Sequence, residues 1–229
     1  MKRSFRVGTF SNIDVNLHWT FSLMIGGLFI WYLYQTASLL IAAAGIALLG
    51  TVFLCVVLHE YGHALMARRY GIKTLDITLY PIGGVARLER LPKDPKQELW
   101  IALAGPAVNL AIAGILYLIS GFFGASVAVE AIWAAAPTNI LGMLIWFNLV
   151  MVGFNMIPAF PMDGGRVLRA GLAQTMSFSR ATQIAGVVGQ GVAVIMAIYG
   201  IFSSQIMLIF IAIFVIVAAK QEMEHAIMK

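Results

Sequence analysis

The sequence predicts an all-α polytopic membrane protein, with about six transmembrane helices and a small membrane-associated β-hairpin or sheet. Of its 229 residues, 61% are hydrophobic and 11% are charged, and the mean hydropathy is +0.89. These values lie far outside the range of soluble globular domains. The apolar residues form segments of bilayer length, about 20 residues each, and the basic residues fall between alternate segments, as the positive-inside rule requires. We therefore expect a single transmembrane domain over residues 1–229.

Six apolar segments are long enough to be interpreted as membrane helices. They cover residues 17–34, 39–67, 99–123, 139–157, 184–202 and 206–219. The first follows a basic N-terminus, as the apolar region of a signal peptide would, but no small-x-small cleavage site follows it. We therefore interpret it as a retained helix. The last segment is the shortest, and the apolar stretch 125–137 could enter the membrane without crossing it.

The charge distribution predicts the orientation of these six crossings. With the N-terminus inside, all 15 Lys and Arg residues fall in the inner segments, which are 1–16, 68–98, 158–183 and 220–229. One charged residue, Glu130, occurs in the outer segments, which are 35–38, 124–138 and 203–205. This asymmetry requires an even number of crossings, so both termini are predicted to be cytoplasmic in a multi-pass protein of the cell membrane. Topology thus explains the net charge of +5, and no basic stretch with interleaved aromatic residues indicates binding of nucleic acid.

Two regions have patterns that differ from those of membrane helices. Residues 73–91 alternate apolar and polar side chains around the turn residues Pro81, Gly83 and Gly84, which predicts a small β-hairpin or sheet at the inner membrane surface. Residues 158–165, PAFPMDGG, contain two prolines and two glycines around an aspartate, so the preceding helix must end there. Irregular backbone at membrane depth persists where protein or a water-filled cavity satisfies its polar groups.

The second apolar segment contains HEYGH at residues 59–63, which places ionisable side chains where a membrane helix disfavours them. His59 and His63, at positions i and i+4, share one helix face and can hold one zinc ion, and Glu60 beside them can act as a general base. Counting from Arg68 at 1.5 Å per residue, His63 lies roughly 8 Å and His59 roughly 13 Å into the helix. The alternative is a set of interfacial polar residues at a helix end.

A catalytic zinc site commonly has three protein ligands, so the two histidines need a partner from elsewhere in the chain. Glu89 and Glu98 are available, but both lie among basic residues of the inner segment. Asp163 is favoured because it follows a broken helix end and precedes two glycines that allow close approach of the backbone. A solvated aspartate in a turn is the alternative interpretation of Asp163.

The motifs HEYGH and NMIPAFPMDG, the latter at residues 155–164, resemble those of the site-2 proteases, a family of intramembrane zinc metalloproteases. The segments NLHW, PIGGVARLE and AGPAVN also look like family segments, so the resemblance covers most of the chain. It implies one zinc ion per chain with His59, His63 and Asp163 as ligands, Glu60 as the base, and Asn155 near the substrate carbonyl. A buried asparagine that bonds a broken helix end is the alternative for Asn155.

The resemblance further implies hydrolysis of peptide bonds within or near the transmembrane segments of other membrane proteins, in a prokaryotic cell membrane. Such a helix must unwind before its carbonyls can be attacked. An exposed strand of the 73–91 hairpin could hold it extended, although a structural hairpin is the alternative. Many prokaryotic members of the family carry CBS or PDZ domains, and neither is expected in this sequence. A homo-oligomer is compatible with the sequence.

A membrane metal-ion transporter or channel is the rival function, since intramembrane His and Asp residues also mark ion pathways. This function leaves Glu60 unexplained, and the sequence shows no repeated halves. Three further polar residues receive structural interpretations. Cys55 is expected to be a small buried hydrophobe, His18 an interfacial anchor, and Asn109 part of the packing of the third helix.

Overall fold

The computed structural model describes residues 4–92, 94–122 and 139–227. The helices in these ranges are α1 (Trp19–Thr36), α2 (Leu39–Arg69), α3 (Pro95–Phe122), α4 (Ile140–Asn155), α5 (Asp163–Leu172), α6 (Phe178–Phe202) and α7 (Ile206–Ile227). The strands are β1 (Ser4–Phe10), β2 (Ile13–His18), β3 (Thr74–Tyr80) and β4 (Gly83–Leu88). The chain forms two compact units. The first is Met1–Leu91 with Ala107–Leu149, and the second is Pro92–Pro106 with Val150–Lys229.

The first unit contains a four-stranded sheet in the order β1-β2-β3-β4. β1 and β2 form an antiparallel hairpin whose turn residues, Ser11 and Asn12, both have positive φ angles, 51° and 61°. Such angles belong to the type I′ turn that suits the twist of a two-residue hairpin. β2 pairs with β3 in parallel, and β3 pairs with β4 antiparallel. A parallel pair needs a long connection between its strands, and α1 and α2 provide it.

The sheet packs against the part of α2 that carries the histidine motif. Ile13 of β2, Ile77 of β3 and Ala64 of α2 belong to one buried cluster, so burial of apolar surface holds the sheet on this helix. The buried Asp76 carboxylate of β3 accepts hydrogen bonds from Arg87 of β4. This carboxylate raises the pKa of the Arg87 guanidinium, and the pair links the two strands.

The second unit contains a sharp turn between α4 and α5. A Cβ atom on Gly164 would lie 2.3 Å from the carbonyl oxygen of Ile157, and one on Gly165 would lie 2.7 Å from the carbonyl carbon of Ala159. A side chain would not fit at either position, so the backbone of the turn packs directly on the start of α5. Ala159 also belongs to the core of this unit, together with Met162, Ala193, Ala212 and Val215.

The predicted fold class is confirmed, since the described residues are mostly helical and include one small sheet. Four of the described helices are long and apolar enough to cross a membrane, namely α2, α3, α6 and α7. The chain is therefore a multi-pass membrane protein. Because α1 and α4 are not among these four helices, the total of six crossings stays a prediction. Residue 123 and the predicted outer segment 124–138, with Glu130, lie outside the described residues.

The structure adds two strands and a short helix to the predicted elements and shifts the start of the first helix. The predicted strands of the 73–91 region are β3 and β4, and the predicted inner segment 1–16 adds β1 and most of β2 to the same sheet. The first helix begins at Trp19, two residues later than predicted, because Leu17 and His18 complete β2. A short helix, α5, forms within the predicted inner segment 158–183.

Candidate metal centre

Two histidine side chains of α2 converge inside the first unit. His59 and His63 are one helical turn apart, and their Nε2 atoms lie 3.1 Å from each other. Both side chains are buried, with 3% and 5% of their surface exposed. Two nitrogens that bind one tetrahedral zinc ion at 2.0–2.1 Å are about 3.3 Å apart. The pair therefore has the spacing expected of two ligands of one zinc ion.

A chain of buried amides connects His59 to two neighbouring helices. Its Nδ1 atom lies 2.6 Å from Oδ1 of Asn109 on α3, and Nδ2 of Asn109 donates to Oδ1 of Asn148 on α4 at 2.7 Å. Nδ2 of Asn148 donates to the carbonyl oxygen of Leu144 at 2.8 Å and to Sγ of the buried Cys55 at 3.4 Å. The sequence indicates a packing role for Asn109 and does not single out Asn148. Their amide groups inside apolar segments are the one signal that marks both.

The carboxylate of Glu60 is held by the sheet. Its Oε2 atom accepts the backbone N–H of Ala86 on β4 at 3.1 Å. Gly84 lies within β4 and not in the predicted turn, and a Cβ atom there would lie 2.8 Å from Cγ of Glu60 and 3.1 Å from Cγ1 of Val56. The absence of a side chain at Gly84 therefore allows the strand to approach α2, and the strand orients the carboxylate next to His59.

Asp163 lies in the second unit, where it is the first residue of α5 and its side chain is buried. A carboxylate in the first turn of a helix is stabilised by the backbone N–H groups of that turn. Burial does not fit the alternative of a solvated aspartate in a turn. The close contacts at Gly164 and Gly165 agree with the expectation that these two glycines allow close approach of the backbone.

The two rival carboxylates have other surroundings. Glu89 is exposed to solvent. Glu98, at the start of α3, is buried and accepts hydrogen bonds from Nε and Nη2 of Arg169, whose Nη1 donates to Glu222 at 2.5 Å. The guanidinium thus already compensates the charge of Glu98. These contacts favour Asp163 over both glutamates as a metal ligand, and its ligation stays a prediction.

Asn155 is the half-buried last residue of α4. Its Nδ2 atom donates to the carbonyl oxygen of Met151 at 3.0 Å, as the alternative of an asparagine at a broken helix end requires. The amide carries two N–H donors, so it can also donate to a substrate carbonyl, and that contact stays a prediction.

His18 lies at the start of α1, where its ring nitrogen accepts the backbone N–H of Thr20 at 3.4 Å, which fits a structural role.

Known proteins resemble this chain in both sequence and fold. Residues 47–132 and 120–199 match the model of peptidase family M50. A zinc metalloprotease of Methanocaldococcus jannaschii is 39% identical over 222 residues, which cover 97% of this chain and 61% of that protein. Rip3 of Mycobacterium tuberculosis is 32% identical over 245 residues, which cover 97% of this chain and 59% of that protein.

A solved structure, a site-2 protease from Methanocaldococcus jannaschii, matches with a TM-score of 0.67 and 38% sequence identity. The match covers 96% of this chain and 95% of that chain. The chain spans about three-fifths of the length of the two curated relatives.

Proposed function

This chain belongs to peptidase family M50, the family of the site-2 proteases, and we propose on that basis that it is an intramembrane zinc metalloendopeptidase. Its substrates are membrane proteins, which it cleaves within or near their transmembrane segments in regulated intramembrane proteolysis. The observation that carries this proposal is the buried pair of His59 and His63 on an apolar helix. Glu60, which directly follows His59, adds a carboxylate beside this pair. A metal transporter would need no such carboxylate beside its ligands.

We assign one zinc ion per chain to His59, His63 and Asp163, whose side chains are all buried and offer nitrogen and oxygen donors. Two imidazoles and one carboxylate are a ligand set that catalytic zinc sites use, with a fourth position left open. Zinc supplies Lewis acidity toward a peptide carbonyl and lowers the pKa of a water molecule to about 7. The burial of the Asp163 carboxylate supports this assignment, because a nearby cation offsets the cost of burying a charge.

Glu60 is assigned the proton transfers of hydrolysis. As a carboxylate it accepts a proton from the attacking water molecule. As a carboxylic acid it then donates that proton to the leaving amine nitrogen while the peptide C–N bond breaks. The hydrogen bond from the Ala86 N–H supports this role, because it orients the side chain. The amide of Asn155 is assigned a hydrogen bond to the oxygen of the substrate carbonyl, an interaction worth roughly 3–4 kcal/mol when well aligned.

We assign the binding of the substrate backbone to β4. A transmembrane helix pairs its own backbone amides, so it must unwind locally before a carbonyl can be attacked. An extended segment can then pair with a strand edge through backbone hydrogen bonds that depend little on side-chain identity. In the sheet that the structure describes, β4 is an edge strand, and its backbone contacts Glu60. Both features support a substrate segment held beside the base.

The proposal is tested by the zinc content and the cleavage activity of the purified protein. The wild type should contain about one zinc ion per chain and cleave a transmembrane substrate in detergent or liposomes. His59→Ala and His63→Ala should lose the zinc, because two remaining ligands bind it poorly. Glu60→Gln should keep the zinc and lose cleavage, because this change removes the base and spares the ligands.

A matched pair of carboxylate variants tests the third ligand. Asp163→Asn should lower both zinc content and cleavage, whereas Glu89→Gln should change neither, because Glu89 is exposed. Undiminished zinc in both histidine variants would overturn the assignment of the site. Zinc transport into liposomes without peptide cleavage would support the transporter instead.

A further inference from the structure

We propose that Asn109 and Asn148 are positioning residues, which hold His59 as its Nδ1–H tautomer and so keep the Nε2 lone pair available for a metal ion. The inference rests on the proposed zinc site. It extends that site by two residues that act through His59 and are not themselves ligands.

The direction of the hydrogen-bond chain follows from its far end. The carbonyl oxygen of Leu144 can only accept, so the atom of Asn148 that lies 2.8 Å from it is the donor Nδ2. The Oδ1 atom of Asn148 must then receive a donor, which is Nδ2 of Asn109 at 2.7 Å. Asn109 consequently presents its Oδ1 atom to His59 at 2.6 Å. The Nδ1 atom of His59 must therefore carry the proton.

Reversing either amide would bring like atoms together. If Asn148 were reversed, its Oδ1 atom would face the Leu144 carbonyl, and two acceptors would meet with no proton between them. If Asn109 alone were reversed, its Oδ1 atom would face Oδ1 of Asn148. Both side chains have 0% of their surface exposed, so water cannot relieve the conflict. Leaving a buried polar group unsatisfied is strongly unfavourable, which selects the observed direction.

This direction matters because a metal ion binds a nitrogen lone pair and not an N–H group. In neutral His59 with a proton on Nδ1, the lone pair is on Nε2, the atom that lies 3.1 Å from Nε2 of His63. Without the two asparagines, the ring would divide between both tautomers and lose an orienting contact. Loss of a partner that orients a ligating histidine typically weakens metal binding by about 10- to 100-fold.

Helix packing alone does not account for these two residues. Asn109 lies on α3 and Asn148 on α4, where a leucine could fill similar space without burying an amide in a membrane helix. Packing alone would therefore tolerate leucine at both positions at least as well as asparagine. The tautomer of His59 separates the two explanations, since helix packing would leave it unchanged.

Two double variants provide the matched comparison. Asn109→Leu with Asn148→Leu removes both amides together, including the Oδ1 atom that faces Nδ1 of His59. Asn109→Asp with Asn148→Leu differs from it at one position and restores an acceptor for the Nδ1–H group. Thr182→Val, which removes another fully buried polar group near the start of the apolar helix α6, controls for the loss of buried polarity.

The measurements are the ¹⁵N chemical shifts of the His59 ring in metal-free protein, assigned against His59→Ala, and the zinc dissociation constant from chelator competition. The wild type, Thr182→Val and the aspartate variant should show the Nδ1–H form and similar affinities. The double leucine variant should show a mixture of tautomers and bind zinc about 10- to 100-fold more weakly.

A wild-type His59 that carries its proton on Nε2 would overturn the proposal, even if the leucine variant failed to fold. An unchanged tautomer and zinc affinity in the folded leucine variant would do the same. The zinc site itself is tested separately. If His59→Ala binds zinc as tightly as the wild type, the proposed function loses its basis. If His59→Ala binds zinc more weakly but the asparagine variants bind it as the wild type does, only the positioning role is overturned.

Discussion

The position of Glu60 depends on a missing side chain at one residue of β4. An added Cβ atom at Gly84 would lie 2.8 Å from Cγ of Glu60, which is closer than two non-bonded carbon atoms approach at their optimum of about 3.5–4.0 Å. Gly84→Ala is therefore expected to displace the carboxylate and to spare His59 and His63. Because misplacement by about 1 Å can cost about 100-fold in rate, cleavage should fall by roughly 10- to 100-fold at unchanged zinc content.

Gly114→Ala is the matched control for this change, since a Cβ atom at Gly114 on α3 meets no atom within 4 Å. Both variants are compared by initial rates of peptide cleavage and by elemental analysis. A Gly84→Ala enzyme that cleaves at the wild-type rate would show that β4 does not position Glu60.

Residues related by spacing along one helix can be predicted from the sequence, whereas residues that meet through the fold cannot. His59 and His63 are four positions apart, so the helical repeat alone places them on one face. Asn109 is 50 positions from His59, and Asn148 is 39 positions from Asn109. No periodic pattern links such positions, and their contact depends on how three helices pack. The proximity of His59 and His63 was therefore predictable, and the contacts that join His59, Asn109 and Asn148 were not.

The short helix α5 is anchored by a buried cation near its C-terminal end. Arg169 is 1% exposed and pairs with Glu98 and Glu222, and its guanidinium lies 5.0 Å from the Phe160 ring centroid and 4.8 Å from that of Phe178. Arg169→Met would leave two neighbouring carboxylates without their cation. Breaking a buried ion pair by removing one partner costs about 3–5 kcal/mol, so the variant should unfold at a clearly lower temperature in detergent.

Lys220→Met is the control for this prediction. Lys220 forms an exposed pair with Glu224, with 71% and 59% of the two side chains accessible, and such pairs contribute about 0–1 kcal/mol. Equal unfolding temperatures for the two variants would contradict the anchoring role. A lower unfolding temperature in Arg169→Met alone would show that this cation stabilises α5, the helix that begins with Asp163.

Two kinds of element were difficult to predict from the sequence. Ile13, Val15 and Leu17 alternate with polar residues as a strand does, but Leu17 also continues into the first apolar segment, which favoured a helix start. α5 begins with two glycines after Asp163, and glycine is unfavourable in helices by about 1 kcal/mol relative to alanine. Its tertiary contacts, Arg169 among them, are absent from any local pattern. The long apolar helices needed no such information, because bilayer length is visible in the sequence.

The number of membrane crossings depends on α1 and α4, the two shortest apolar helices in the part of the chain that the structure describes. At 1.5 Å per residue, the 18 residues of α1 and the 16 residues of α4 span about 27 and 24 Å, against a hydrocarbon core of about 30 Å. The four longer helices have 31, 28, 25 and 22 residues, which is enough to cross. Length alone thus leaves α1 and α4 open, and charge must decide.

We predict that both α1 and α4 cross, so that reporter fusions after residues 36, 130 and 204 read as external and fusions after 90 and 175 read as cytoplasmic. If α4 did not cross, Arg166, Arg169 and Arg180 would be carried to the side opposite the other basic loops, against the positive-inside rule. If α1 did not cross, the basic N-terminus would lie opposite the segment 68–98. A cytoplasmic signal at 36 would remove the first crossing, and an external signal at 175 would remove the fourth. The first result would also change the membrane orientation of α2, the helix that carries His59 and His63, whereas the second would leave it unchanged.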